Sequence, residues 1–88
     1  MLYQGDFLSL KVKTDKNPRV HIIISKSIYS SAVKRNLLKR RIKSVVREFI
    51  GKKNLKLSIF VYTKKEIRDK KYKEIKNELV NLFKKANL

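Results

Sequence analysis

The stretch from Ser31 to Ile50 reads SAVKRNLLKRRIKSVVREFI, and its apolar residues recur at the spacing of one helix face. At about 100° per residue, a single stripe collects Leu38, Ile42, Val45, Val46 and Phe49. The opposite side collects hydrogen-bond donors, namely Asn36, Lys39, Arg40, Lys43 and Arg47. Either Ser30 or Ser31 could cap the start of the helix, and Gly51 is a residue type that ends helices. The pattern predicts an amphipathic helix with an apolar side to bury and a basic side to present.

Strand patterns lie on both sides of this helix. Apolar residues mostly alternate in 7–12 and in 19–25, and the turn-forming residues 14–18 between them predict an antiparallel hairpin. The nearly continuous apolar run at 57–62 indicates an interior strand. A second helix is predicted over 69–86. The order β-β-α-β-α predicts an α/β (α+β) two-layer sandwich, with helices packed on a sheet.

Length and composition limit the class of protein. The 88 residues are enough for a single domain, residues 1–88, and we find no linker or repeat. There is no cysteine, which excludes disulfides, thiolate zinc sites and a thiol nucleophile. No segment resembles a secretion signal or approaches the roughly 20 apolar residues of a membrane span. We therefore expect a cytoplasmic protein without a membrane partner.

Positive charge is the strongest compositional signal. The sequence has 24 Lys and Arg against 7 Asp and Glu, a net charge of +17. Residues 26–56 carry eleven basic side chains and one acidic side chain, Glu48. A concentrated positive field of this kind attracts polyanions and speeds their encounter. A generally lysine-rich composition would give a similar total, but the uneven distribution favours a nucleic-acid face.

A specific motif lies inside the basic helix. Arg35-Asn36 is followed after two residues by Lys39-Arg40, and after two more by Lys43. A strand ending in Ser25-Lys26 precedes the helix, and a basic amphipathic segment occupies 72–85. This combination, collinear over about residues 19–88, resembles the ribonuclease P protein family, the protein subunits of the bacterial ribonucleoprotein that trims precursor tRNA. The family usually has Arg where Lys43 stands, so this chain keeps the charge and loses the planar fork.

The resemblance implies both a topology and a set of binding residues. The central helix would join two parallel neighbouring strands of a small mixed sheet by a left-handed β-α-β crossover, against the usual right-handed rule. The implied RNA-binding residues are Lys26, Arg35, Asn36, Lys39, Arg40, Lys43 and Arg47.

The resemblance also implies a function. The chain would bind the catalytic RNA and the 5′ leader of precursor tRNA, and so assist endonucleolytic removal of the leader to give mature 5′ ends. Catalysis would belong to the RNA and its Mg²⁺ ions. We therefore expect no catalytic or metal-binding residue in the protein, no cofactor bound by the protein alone, no activity without the RNA, and no required protein partner.

The N-terminal segment departs from the family pattern. Members usually begin with a helix whose aromatic residues line the cleft for the 5′ leader, whereas six residues precede the first predicted strand here. That helix is therefore expected to be absent or reduced to a stub. The candidate leader contacts are Phe7, Tyr29 and His21, and each has a structural alternative: a core residue, a loop filler and an ordinary strand residue, respectively.

Three other functions are compatible with parts of the sequence. A small basic ribosomal protein, or another structural RNA-binding protein, would carry the same charge. The motif in the basic helix is the feature that argues against this alternative. A protein bound to anionic membrane surfaces would need a helix with an exposed apolar stripe. Here the helix needs its apolar stripe to pack against the sheet. A stand-alone nuclease is disfavoured because the seven acidic residues are dispersed and form neither a two-metal pair nor a Ser-His-Asp set.

Overall fold

A computed structural model describes residues 2–51 and 56–88. Lys52 and Lys53, counted above in the basic segment, lie outside the described residues. Four strands and two helices follow one another as β1 (Leu2–Gln4), β2 (Leu8–Thr14), β3 (Val20–Ile23), α1 (Ala32–Ile50), β4 (Leu57–Thr63) and α2 (Tyr72–Lys85). A short 3₁₀ helix, Lys65–Ile67, precedes α2. The expected α+β class with a mixed sheet is confirmed.

The sheet has the strand order β1-β2-β4-β3. β2 and β4 are antiparallel, with a register that runs from Leu8 opposite Thr63 to Thr14 opposite Leu57, and β3 is parallel to β4. The predicted interior strand and the parallel crossover through α1 are therefore confirmed. The hand of that crossover stays a prediction.

The predicted β2–β3 hairpin is wrong, because β4 lies between those two strands. Ile59 and Val61 of β4 are fully buried, so this strand takes the centre of the sheet and its neighbours pair with it. The loop after β2 is tied to β4 by Asp15. Its backbone N–H donates to the carbonyl of Lys56 at 2.9 Å, and its Oδ2 accepts from the hydroxyl of Ser58 at 2.7 Å.

Strand β1 was not expected from the sequence. It pairs antiparallel with β2, and the turn that joins them is anchored to α2 and to the residue that follows β4. Glu78 accepts hydrogen bonds from the backbone N–H groups of Asp6 (2.6 Å) and Phe7 (3.0 Å), while the Lys64 ammonium donates to the carbonyl of Gly5 at 2.8 Å. A Cβ at Gly5 would lie 2.7 Å from the Glu78 carboxyl carbon, so a larger residue there would displace the Glu78 side chain. The segment before Phe7 is thus an anchored edge strand.

The apolar stripe of α1 packs into the core as predicted. Leu38, Ile42, Val45 and Val46 are buried, and Phe49 stacks on Phe83 of α2 with ring centroids 4.8 Å apart. The helix begins as expected, since the Ser31 hydroxyl accepts from the Lys34 N–H at 3.3 Å.

The second helix starts at Tyr72, three residues later than predicted. Asp69 has a φ of 64°, a left-handed conformation that an α-helix does not contain. The helix instead begins after Lys71, whose backbone N–H donates to the Glu74 carboxylate at 2.8 Å.

Candidate nucleic-acid interface

A groove of about 640 Å³ runs between α1 and the edge strand β3. Its strand side is formed by residues 20–23, and its helix side by Asn36, Lys39, Arg40 and Lys43. These four helix residues recur at three- and four-residue intervals, which places them on one flank of α1. Because β3 pairs with β4 on one side alone, its other edge faces this basic flank. The fold thus brings a line of donors against an exposed sheet edge.

Within the described residues, the cations of the groove have no protein counter-ion. In the part of the chain that the structure describes, the one ion pair joins Lys76 of α2 to Glu48 at 3.1 Å. Glu48 is the acidic residue of α1, and this ion pair holds it on the side of the helix that faces α2. Lys39, Arg40 and Lys43 therefore remain exposed and available to an external anion. Ammonium and guanidinium groups in this state form strong charge-assisted bonds to phosphate oxygens.

The remaining predicted RNA-binding residues lie outside the groove. Arg47 is exposed one helical turn beyond Lys43 and continues the same flank. Lys26 lies in the loop before α1 and lines a smaller concavity. Arg35 is half-buried, and its Nη1 donates to the carbonyls of Tyr29 (2.7 Å) and Ser30 (2.8 Å). Arg35 therefore holds the loop against the helix, a structural use that the sequence motif did not indicate.

The three candidate leader contacts are placed in different surroundings. His21 lines the groove and stacks on Phe60, with ring centroids 4.8 Å apart and an interplanar angle of 11°. Tyr29 lies in the smaller concavity with Lys26. Phe7 is 8% exposed and belongs to the hydrophobic core. A ring with so little free surface cannot stack on a nucleotide, so the structure favours the core alternative for Phe7.

Sequence reasoning selected His21 on the outer face of the sheet and missed the β4 residues that lie beside it. The register places His21 beside Phe60 and Ile23 beside Tyr62, whereas Ile59 and Val61, which alternate with them in β4, point into the core. Phe60 and Tyr62 are half-buried and face the same side, because strand residues two apart share a face. The alternation of residues within 57–63 indicates that these two rings share a face. That His21 and Ile23 lie beside them became visible when β3 was placed next to β4.

A polar network fixes the start of the groove's strand side. The Ser58 hydroxyl accepts from the backbone N–H of Arg19 at 3.2 Å, just before β3, and donates to Asp15. That hydrogen bond from Ser58, followed by one from the Asn17 N–H, holds the pKa of Asp15 below its usual range. The network joins β2, β3 and β4 at one end of the sheet.

Two further observations concern metals and membranes. Among the described residues, no group of three or more His, Asp and Glu side chains is placed to hold a metal ion. Neither of the described helices combines the length and apolarity needed to cross a bilayer.

A basic helix flank set against a sheet edge, on a chain of net charge +17, is typical of a nucleic-acid-binding α+β protein. The model of the family "Ribonuclease P" matches residues 2–87. The chain is 32% identical over 89 residues to the ribonuclease P protein component of Pseudanabaena sp. (strain PCC 6903), covering 98% of this chain and 77% of that protein. It is 27% identical over 85 residues to that of Finegoldia magna, covering 97% and 74%. The chain belongs to the ribonuclease P protein family.

Solved structures agree on the fold. The RNase P protein of Staphylococcus aureus is similar with a TM-score of 0.84 at 22% identity, over 98% of this chain and 80% of that one. The RNase P protein of Thermotoga maritima is similar with a TM-score of 0.83 at 19% identity, over 97% and 82%. The resemblance expected from the motif is therefore confirmed. It also extends to the N-terminal residues before Arg19, where the motif gave no signal.

Proposed function

We propose that this chain binds the catalytic RNA of ribonuclease P together with precursor tRNA, and so assists removal of the 5′ leader. One observation carries the proposal. Four of the five motif residues, Asn36, Lys39, Arg40 and Lys43, line one groove, and the three cations among them have no protein counter-ion within the described residues. We propose that residues 1–88 act as a single RNA-binding domain.

The groove would act on RNA through its phosphates. A rigid helix holds the cations at fixed intervals, so they can follow a folded backbone without reading base edges. Each phosphate neutralised releases condensed counter-ions, which makes the affinity depend on salt. The Asn36 amide can both donate and accept hydrogen bonds, so it suits a phosphate oxygen or a ribose hydroxyl beside the cations. Arg47 would extend the same contact by one helical turn.

The outer face of the sheet is the surface that we propose for the single-stranded leader. The His21–Phe60 stack offers a flat surface, and Ile23 and Tyr62 continue it. Bases stack on such side chains without regard to sequence. Because His21 and Ile23 also line the groove, a strand on this face could pass its phosphates to Lys39 and Arg40. We therefore propose that the leader contacts His21 and not the buried Phe7.

Membership in the ribonuclease P protein family suggests how the RNA and the protein divide the reaction. Phosphodiester cleavage that leaves a 5′-phosphate on mature tRNA would be performed by the RNA with Mg²⁺, which we place with the RNA and not with the protein. The positive charge of the protein would offset the repulsion between RNA phosphates. Substrate and metal ions would then bind at lower concentrations of added cations. We propose that it acts in the cytoplasm and needs no protein partner.

A reconstituted cleavage assay tests the proposal. The protein alone should leave precursor tRNA intact, and a bacterial catalytic RNA alone should cleave slowly and require high Mg²⁺. Adding the protein should restore cleavage at low Mg²⁺. The Arg40→Ala/Lys43→Ala variant should restore it poorly, whereas the matched Lys84→Ala/Lys85→Ala variant, which removes the same charge from exposed sites on α2, should act like wild type. Equal rescue by both variants, or no rescue by wild type, would contradict the proposal.

A small ribosomal protein is the alternative that the charge alone would allow. Membership in the ribonuclease P protein family does not favour it. Sequencing the RNA that copurifies with the tagged protein separates the two functions: one dominant catalytic RNA is expected, and ribosomal RNA would support the alternative.

A further inference from the structure

A second basic cluster lies on the other flank of α1. Lys26, Lys34 and Arg68 line a concavity of about 220 Å³ together with the loop residues 27–31. Lys34 and Lys43 are nine residues apart, about two and a half helical turns, which places them on opposite flanks of the helix. A phosphate bound along the groove therefore does not contact this cluster.

The cluster is built around the ring of Tyr29. The Lys34 ammonium and the Arg68 guanidinium each lie 5.9 Å from the ring centroid. The Tyr29 hydroxyl accepts from the backbone N–H of Asp69 at 3.3 Å, which fixes the ring against the segment that carries Arg68. Two cations from distant parts of the sequence are thus held beside one ring.

Hydrogen bonds within the protein organise the loop that lines this concavity. Arg35 donates to the carbonyls of Tyr29 and Ser30, and Ile28 is buried in the core. The Ser25 hydroxyl accepts from the backbone N–H of Ser27 at 3.1 Å, which fixes the turn next to Lys26. A concavity that is already ordered does not have to lose further conformational entropy when it binds.

Charge identifies the ligand. Three cations converge here, and within the described residues none of them makes an ion pair with a carboxylate. The neighbouring acid, Asp69, contributes its backbone to Tyr29, and its exposed carboxylate accepts no hydrogen bond in the described structure. Like charges held together without a counter-ion repel one another, and an anion between them removes that repulsion. Guanidinium, ammonium and hydroxyl donors together suit the oxygens of a phosphate group.

We propose that Lys26, Lys34 and Arg68 around Tyr29 form a second phosphate-binding site, separate from the groove. The site takes a phosphate group, either free or as part of an RNA backbone. It does not depend on which RNA the groove binds.

The first test uses inorganic phosphate as the probe. The ¹⁵N-labelled full-length chain is titrated with phosphate at constant ionic strength. Amide signals of Tyr29, Ser30, Lys34 and Arg68 should shift along a common saturating curve. The Lys34→Ala/Arg68→Ala variant should bind at least about tenfold more weakly, because two charge-assisted contacts are lost. The Lys84→Ala/Lys85→Ala variant, with the same loss of charge, should bind like wild type. Circular dichroism confirms that both variants are folded.

The second test separates the two sources of phosphate. If the phosphate belongs to RNA, Lys34→Ala/Arg68→Ala should lose two phosphate contacts, and the log–log salt slope of RNA binding should flatten by roughly 1.4–1.8. The slope of the control variant should change less. If a small ligand supplies it, the phosphate titration alone should distinguish the variants. Equal behaviour of the two variants in both tests, or amide shifts spread evenly over all basic surfaces, would overturn the proposal.

Discussion

Ile42 and Lys43 are neighbours in the sequence and belong to different parts of the molecule. Ile42 is fully buried in the core, whereas Lys43 is exposed on the wall of the groove. A rotation of about 100° separates the two side chains. The same contrast holds along the helix, with Leu38 facing the core and Lys39 facing the groove. Stability and RNA binding are therefore carried by adjacent residues, and substitutions should separate the two properties.

Truncation of the buried side should have the largest effect. Ile42→Ala removes apolar contacts from a fully buried position, so the free energy of unfolding should fall by about 2–4 kcal/mol. For a domain of this size that loss approaches the whole folding free energy. Leu38→Ala should act in the same direction. Urea denaturation followed by circular dichroism measures both, with Lys43→Ala as the control. Wild-type stability together with lost RNA binding would mean that the two sides are reversed.

Truncation of the groove side should have a smaller effect, and on binding alone. Arg40→Ala and Lys43→Ala should each weaken RNA binding and flatten its salt dependence by roughly 0.7–0.9 in log–log slope per lost phosphate contact. Their unfolding free energies should change by less than about 0.5 kcal/mol, because both residues are exposed. Filter binding over a salt series provides the measurement. Unchanged affinity and slope in both variants would remove the groove from the proposed interface.

A conservative substitution on the same flank sharpens the comparison. Lys43→Arg keeps the charge and adds a planar fork that can hold two phosphate oxygens. RNA affinity should rise by about two- to fivefold, with no change in salt slope, since the number of ionic contacts is the same. The same substitution at Lys84, outside the groove, serves as the control. A loss of affinity in Lys43→Arg would indicate that the site requires the smaller ammonium.

The sequence predicted α1 and its two sides because a long helix repeats its pattern over five turns. It did not predict the pairing of β2 with β4, since that choice depends on residues more than forty positions apart. The start of α2 was missed because Asp69 adopts a left-handed conformation that its residue type permits and does not require. The motif gave the groove's helix side, and its strand side became visible when β3 was placed at the sheet edge.

The assignment of individual motif residues also needed the structure. Arg35 and Arg40 are both arginines of the matched motif, yet Arg35 binds loop carbonyls and Arg40 lines the groove. Both residues are arginines at motif positions of the same helix, so the sequence does not distinguish the one that binds the loop from the one that lines the groove. The difference lies in the loop before α1, whose conformation sequence periodicity does not report.

The smallest expected effect concerns the network at the start of β3. The pKa of Asp15 is lowered, first by the hydrogen bond from Ser58, so the folded protein binds this proton less readily than the unfolded chain. The resulting stabilisation is present above the pKa of an unfolded aspartate, about 3.9, and is lost as the pH falls through the folded value. Asp15→Asn should remove this part of the acid dependence.

Unfolding by urea at pH 6 and at successively lower pH values measures the difference between Asp15→Asn and wild type. The difference should be small and confined to acid pH, because Asp15 lies at the surface, where solvent screens the charge. Asp6→Asn is the matched control, since the Asp6 carboxylate accepts no hydrogen bond in the described structure. RNA affinity at neutral pH should stay within about twofold of wild type, because the Asp15 network supports the end of β3 and not the cations of α1. A large loss of RNA binding in Asp15→Asn would show that the position of β3, and not the helix flank alone, controls the groove.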